Sequence, residues 1–115
     1  MRIDVKGRNV AVGDELRERI EKRFQKIGRQ VSDLAQLDVE LKEEKNPSIR
    51  DSCVAEGTLY LKGVTLRARS AADNMASAIN EISDDLSRQV KRHRDKRRRR
   101  RETAKAAEAR PATSP

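Results

Sequence analysis

Apolar and polar side chains alternate in four stretches of this chain, and each alternation marks a strand with one buried and one solvated face. In the first stretch Ile3 and Val5 oppose Arg2, Asp4 and Lys6. In the second, Leu37, Val39 and Leu41 oppose Asp38, Glu40 and Lys42. The third sets Cys53, Ala55, Leu59 and Leu61 against Glu56, Thr58, Tyr60 and Lys62. The fourth sets Val64, Leu66 and Ala68 against Thr65, Arg67 and Arg69. Lys62-Gly63 reads as the turn of a hairpin between the last two. Gly7-Arg8-Asn9 and the Asn46-Pro47 region, within 43–52, read as turn and loop.

Two segments carry a helical period instead. Leu16, Ile20, Phe24, Ile27 and Val31 form one stripe, spanning about 80° of a wheel turned 100° per residue. Asp14 is positioned to cap this helix, and Gly28 marks where it runs out, around 28–31. Met75, Ile79, Ile82, Leu86 and Val90 form the second stripe, continued by His93, with Asp73 or Ser70 as the expected cap. The order is β-α-β-β-β-α. Since every strand keeps one polar face, both helices must cover the other face. The expected architecture is a two-layer α+β sandwich, a four-stranded sheet with two helices on one face.

Charge is distributed very unevenly. Residues 1–90 hold 16 basic and 16 acidic side chains, whereas residues 91–101, KRHRDKRRRRR, hold nine basic and one acidic. The formal net charge of +8 therefore resides in that stretch. Residues 102–115 balance to zero and are rich in Ala, Thr, Ser and Pro, the composition of a disordered tail. With 35% hydrophobic and 40% charged residues, a small core forms only if one segment stays outside it. The expected organisation is a domain over 1–96, then a basic stretch and disordered tail over 97–115.

Five successive arginines, Arg97 to Arg101, repel one another, and an anionic partner relieves that repulsion. Nucleic acid fits better than a membrane surface, because the basic end has no Trp, Phe or Leu to insert. The first helix adds a basic flank beside its core stripe: Arg19, Lys22, Arg23, Lys26 and Arg29. The bland alternative there is a solvated face with intrahelical pairs, Glu15 with Arg19 and Glu18 with Lys22. The last helix turns from acidic (Glu81, Asp84, Asp85) to basic (Arg88, Lys91, Arg92, Arg94, Lys96) along its length.

Other functions find little to stand on. A single cysteine, Cys53, allows no disulfide framework and no cysteine zinc site. A single histidine, His93, has no partner for a metal cluster or a triad. Asp84 and Asp85 point about 100° apart on a helix and make a poor catalytic pair. Five scattered glycines form no phosphate-cradling loop. No apolar run nears the roughly 20 residues of a membrane span, and the start shows no signal-peptide core. Phe24 and Tyr60 are the only aromatics, too few for a base-stacking platform. The expectation is a cytoplasmic non-enzyme with no catalytic residues, metal, cofactor, small-molecule substrate or membrane partner.

The segments IDVKGRNVAVGDELRERIEKRFQKIGR, LDVEL, VAEGTLYLKGVTLRARS and AINEISDDLSRQVKRHRDK, in this order and spacing, resemble the ribosome hibernation-promoting factor family. That family is also called ribosome-associated inhibitor or light-repressed proteins, and the resemblance covers about residues 1–97. It implies a double-stranded-RNA-binding-domain-like fold. It also implies binding to the small ribosomal subunit and its ribosomal RNA, in the decoding region, where messenger and transfer RNA sites are blocked during stress or stationary phase. The implied RNA-binding residues are Arg23, Lys26 and Arg29 on the first helix and Arg88, Arg92 and Lys96 on the last. Lys91, exposed on the same basic half, joins them, and Asn80 and Gln89 also match the family's helix pattern. Ala76 stands where the family usually has an aromatic residue, and Asp85 where it usually has a lysine. The long members carry a second, ribosome-joining domain, and residues 97–115 do not match it. A short or truncated member, monomeric off the ribosome, is expected. Two rival readings are a general RNA-binding or RNA-chaperone module and a protein-interaction modulator of an alternative sigma factor.

Overall fold

The structure is a computed structural model that describes residues 1–44 and 50–109, with 104–109 as backbone only. Six elements follow in the expected order: β1 (Arg2–Arg8), α1 (Asp14–Gly28), β2 (Gln36–Glu43), β3 (Cys53–Leu61), β4 (Val64–Ala72) and α2 (Met75–Ala109). The strands form one sheet in the order β1-β2-β3-β4. β1 pairs parallel with β2, and the other two pairings are antiparallel. A parallel pair needs a crossover, and α1 supplies it.

The alternations set the faces as expected. Leu37, Val39, Leu41, Ala55 and Leu59 are buried with Ile20, Phe24 and Ile27 of α1 and Ile79, Ile82, Leu86 and Val90 of α2. Asp4, Asp38, Glu56 and Arg67 lie on the opposite, solvated face. There Arg8 pairs with Glu40 at 2.8 Å and Arg69 with Glu56 at 3.2 Å. Gln36 Nε2 donates to both Asp4 (2.8 Å) and Asp38 (2.9 Å), which sit side by side in the parallel register. Cys53 is half-buried against the core margin.

Two glycines are set by close approach. A Cβ on Gly57 would lie 2.9 Å from Leu86 Cδ1 and 3.5 Å from Ile82 Cδ1. The missing side chain lets α2 settle onto the sheet over β3. A Cβ on Gly7 would lie 2.3 Å from the Val10 carbonyl oxygen, so the chain leaving β1 folds back tightly against it. Asn9 takes a left-handed φ of 56° in that turn, a conformation Asn tolerates. Gly63 closes the β3-β4 hairpin at φ 81°, with Leu61 facing Val64.

Several local expectations are corrected. β1 continues through Gly7 and Arg8, and the turn begins at Asn9. Asp14 does not cap α1: Gly13 is the N-cap, with no side-chain bond, and Asp14 is the first helical residue. Nor does Asp73 or Ser70 cap α2. Asn74 does, its Oδ1 accepting from the Ser77 amide at 2.8 Å, while Ser70 Oγ donates to Glu81. The segment 97–109, expected to be outside the fold and in part disordered, is backbone-helical as a continuation of α2. Arg, Lys, Glu and Ala are strong helix formers, and no Gly or Pro interrupts them before Pro111. Asn46-Pro47 and the final residues 110–115 lie outside the described residues.

The Gly57 contact yields a stability prediction. Gly57→Val places methyl groups where Leu86 and Ile82 already pack, and overpacking of this kind costs about 1–3 kcal/mol. The urea midpoint should fall accordingly. An unchanged midpoint would show that α2 does not depend on this approach.

Candidate nucleic-acid interface

Helix direction organises the charged surface. Counting along the sheet, β1 and β4 run the same way: β1 is parallel to β2, and two antiparallel steps then lead to β4. Each helix follows one of these strands and returns over the same face, so α1 and α2 run parallel. Contacts at both ends agree. Arg23 of α1 meets Asp84 of α2 at 3.3 Å. Further along, Val31, just past α1, lines the same depression as Val90, His93, Arg94 and Arg97.

Acids gather toward the start of both helices and bases toward the end. α1 carries Asp14, Glu15, Glu18 and Glu21 with Arg17 and Arg19 in its first half, and only bases, Lys22, Arg23, Lys26 and Arg29, after that. α2 shows Glu81, Asp84 and Asp85 before Arg88, Lys91, Arg92 and Arg94. Parallel packing therefore gathers both basic halves at one end of the helical layer. Cations there also suit the negative end of the α1 dipole. The extension of α2 prolongs the same end outward.

The seven expected binding residues are shared between the two helices. Turning about 100° per residue from Met75, Lys91 lies near 160°, beside Asp84 at about 180°, on the flank toward α1. Arg88, Arg92 and Lys96 lie near about 220°, 260° and 300°, on the flank toward β4. That side is marked by Glu81 reaching Ser70 and by Gln89 Nε2 donating to the Arg67 carbonyl at 2.7 Å. Arg23, Lys26 and Arg29 sit on α1, with Arg23 turned to α2. The apolar stripe of α2, near about 340° to 60°, is buried against the sheet, so the cations of α2 occupy its solvent side as one arc from about 160° to 300°.

Side-chain partners refine the assignment. Arg23 is partly engaged by Asp84, whereas no ion pair holds Lys26, Arg29, Lys91, Arg92 or Lys96 among the described residues. The intrahelical pairs Glu15–Arg19 and Glu18–Lys22 are likewise absent there. Asp84 and Asp85 diverge as expected, the second reaching Arg88 at 3.9 Å. Gln89 acts as a strut to β4. The buried Oδ1 of Asn80 has no hydrogen-bond partner among the described residues. His93 ends the apolar stripe beside Val31, Leu61 and Val90. Sequence reasoning missed the Asp84–Arg23 pair, because nothing in periodicity relates residues 61 positions apart. Among the described residues no group of three or more His, Cys, Asp or Glu side chains can hold a metal, and no helix is long and apolar enough to cross a membrane.

A family model described as Sigma 54 modulation protein / S30EA ribosomal protein matches residues 3–98. The chain belongs to this family. It is 33% identical over 96 residues to the ribosome hibernation promoting factor of Salmonella typhimurium, covering 84% of this chain and 96% of that one. The ribosome hibernation promotion factor of Picosynechococcus is 29% identical over 97 residues, and there the match spans only 50% of the relative's length. Among solved structures, the N-terminal domain of Thermus thermophilus Protein Y superposes with a TM-score of 0.70 at 26% identity, over 81% of this chain and 99% of that one. A ribosomal subunit interface protein from Coxiella burnetii, 19% identical with a TM-score of 0.70, shares the fold. The family match stops at residue 98, within the arginine run.

The ion pair across the helices predicts unequal cations. Arg23→Ala should lower the salt needed to elute the protein from a polyanion column less than Lys26→Ala does. In an Asp84→Asn background the two should become equal, a coupling that a double-mutant cycle isolates. Equal effects in both backgrounds would dismiss Asp84 as a screen of Arg23.

Proposed function

We propose that this chain is a ribosome hibernation factor that binds the small ribosomal subunit through ribosomal RNA, in the decoding region, and blocks messenger and transfer RNA by occupying their sites. The observation that carries this reading is the gathering of two basic helix ends into one surface, on a fold shared with hibernation factors. Such a surface suits RNA phosphates. Binding energy then comes mainly from counterion release, and shape selects the site. Arg23, Lys26, Arg29, Arg88, Lys91, Arg92 and Lys96 are the proposed contacts, with Arg23 weakened by Asp84.

Salt tests the mechanism. With about six phosphate contacts, affinity for small subunits should fall on the order of a thousandfold between about 50 and 200 mM salt. Co-sedimentation across a salt series measures it, and a flat dependence would sink the electrostatic account. A partner that survives nuclease and high salt would instead favour the sigma-factor reading that the family description preserves. Footprints scattered over ribosomal RNA would favour a general RNA chaperone.

Asp85 provides a charge test. Its contact with Arg88 is long and exposed, and such pairs contribute only about 0.2–1 kcal/mol. Beside Arg92 and Lys96, its carboxylate opposes phosphate across roughly 8 Å of effective range at physiological salt. Asp85→Lys should tighten ribosome binding, Arg92→Glu should weaken it, and Glu18→Lys, on the acidic half of α1, should change little. Weaker binding by Asp85→Lys would remove this flank of α2 from the interface.

Pairing of ribosomes needs a self-associating surface. The described part of the extension, Arg94 to Thr103, is exposed and has no apolar patch. Pure protein added to ribosomes should inhibit translation and leave sucrose-gradient profiles without a paired-ribosome peak. A strong paired peak would show a self-association that this surface does not explain.

A further inference from the structure

The extension of α2 has a property that the rest of the charged surface lacks. From Arg94 to Thr103 every side chain is exposed, and beyond Arg97, the last residue to line the depression beside Val31, the helix stands in solvent. Residues 94–101 carry seven cations and one acid, Asp95. On the wheel from Met75 they fall near about 100° (Arg94), 300° (Lys96), 40°, 140°, 240°, 340° and 80° (Arg97 to Arg101). The widest gap, about 100° between Arg98 and Arg99, holds the acids Asp95 and Glu102, near about 200° and 180°, and cations cover the remaining roughly 260° of the circumference. Arg98 alone among them pairs with an acid in the described residues, Glu102 at 3.4 Å. A helix that lay on a flat anionic surface would need cations on one side only. The cations on its far side would add repulsion at i,i+3 and i,i+4 spacing, with no compensating contact.

We propose that residues 94–109 form a second RNA-binding element, distinct from the cations on the helical layer, that inserts between the phosphate walls of duplex RNA where a bulge or internal loop has widened the deep groove. This deepens the ribosomal RNA reading by assigning a distinct element and RNA shape. Enclosure matches an arc of cations this wide, because a groove presents phosphates on both sides of an inserted rod. A helix with side chains is about 10–12 Å wide. The groove of regular A-form RNA is deep and narrow, so a helix of that width fits only where the groove is opened. Single-stranded RNA is disfavoured because the extension has no aromatic side chain on which bases stack. The backbone from Arg94 to Ala109 spans about 24 Å, long enough to follow the groove for several base pairs.

Five consecutive arginines make the test direct, since steps of about 100° sample the whole circumference. Single Arg→Ala variants at 97, 98, 99, 100 and 101 retain a strong helix former and touch no core residue. Each would be titrated, as the full chain, against an RNA hairpin of about 16 base pairs with a central bulge, the length a double-stranded-RNA module spans. Enclosure predicts that every one of the five reduces the slope of log affinity against log salt, by roughly 0.7–0.9 each. It also predicts tighter binding to the bulged hairpin than to an unbulged one. If two or more of the five leave the slope unchanged, the helix lies against one side and enclosure is overturned. Equal binding to both hairpins, or binding to anionic lipid vesicles in place of RNA, overturns it too. Ribosome co-sedimentation separates this inference from the reading beneath it. If the variant with all five arginines replaced still sediments with small subunits but binds the bulged hairpin like the parent, the extension is not the element and the ribosomal reading stands. If the parent binds the hairpin as predicted but not ribosomes, the inference stands and the ribosomal reading falls.

Discussion

The seat of α2 on the sheet over Gly57 is the contact on which the remaining architecture depends. Leu86 and Ile82 approach the backbone of β3 closely there, and Leu37 of β2 lies at the same point. This holds the middle of α2 against the sheet. Everything N-terminal to it is tied into the fold: Asn74 caps the helix, Ser70 binds Glu81, and Asp84 meets Arg23 of α1. C-terminal to it, Gln89 and Val90 are the last firm attachments. The apolar stripe that drives this seating ends at His93, so burial ends there while the helix does not.

Charge then follows from direction. Residues 1–90 are electrically neutral as a sequence, but neutral composition does not mean a neutral surface. On the open face of the sheet, acids and bases answer one another locally through Arg8–Glu40 and Arg69–Glu56, and Gln36 bridges the two acids Asp4 and Asp38. On the helical layer bases dominate one end, because both helices end in bases and both run the same way. Acids near helix starts and bases near helix ends are also the arrangement that the helix dipole favours. Local helix energetics and the long-range presentation of positive charge thus work in the same direction.

The fold was largely legible in the residues. The four alternations, two stripes and the Lys62-Gly63 hairpin turn all reappear, since burying one face of an element imposes its period on the sequence. The misreadings were local ones. Asn74 outcompetes Asp73 and Ser70 as a cap because Ser70 is still in β4 and Asp73 lies one residue too early. Residues 102–109 read as part of a disordered tail because composition says nothing of a helix already nucleated upstream, which needs only favourable propensity to propagate. The candidate site was legible as a set of cations on two helices. Its gathering at one end of the helical layer was not, because that depends on the two helices running parallel.

The sequence by itself determined which faces are buried, which segment carries the net charge, and the absence of cysteine, histidine and glycine patterns for metal, redox or nucleotide chemistry. Those properties are written in spacing and composition along one dimension. Tertiary structure alone decided that β1 and β4 run the same way and that α1 and α2 are therefore parallel. It also decided that Asp84 falls beside Arg23, and that the two basic ends meet. A hydrophobic stripe specifies the side on which a helix packs, but it reads equally well with the helix pointing either way. Only the strand connections, fixed by the parallel pairing of β1 with β2, select one direction.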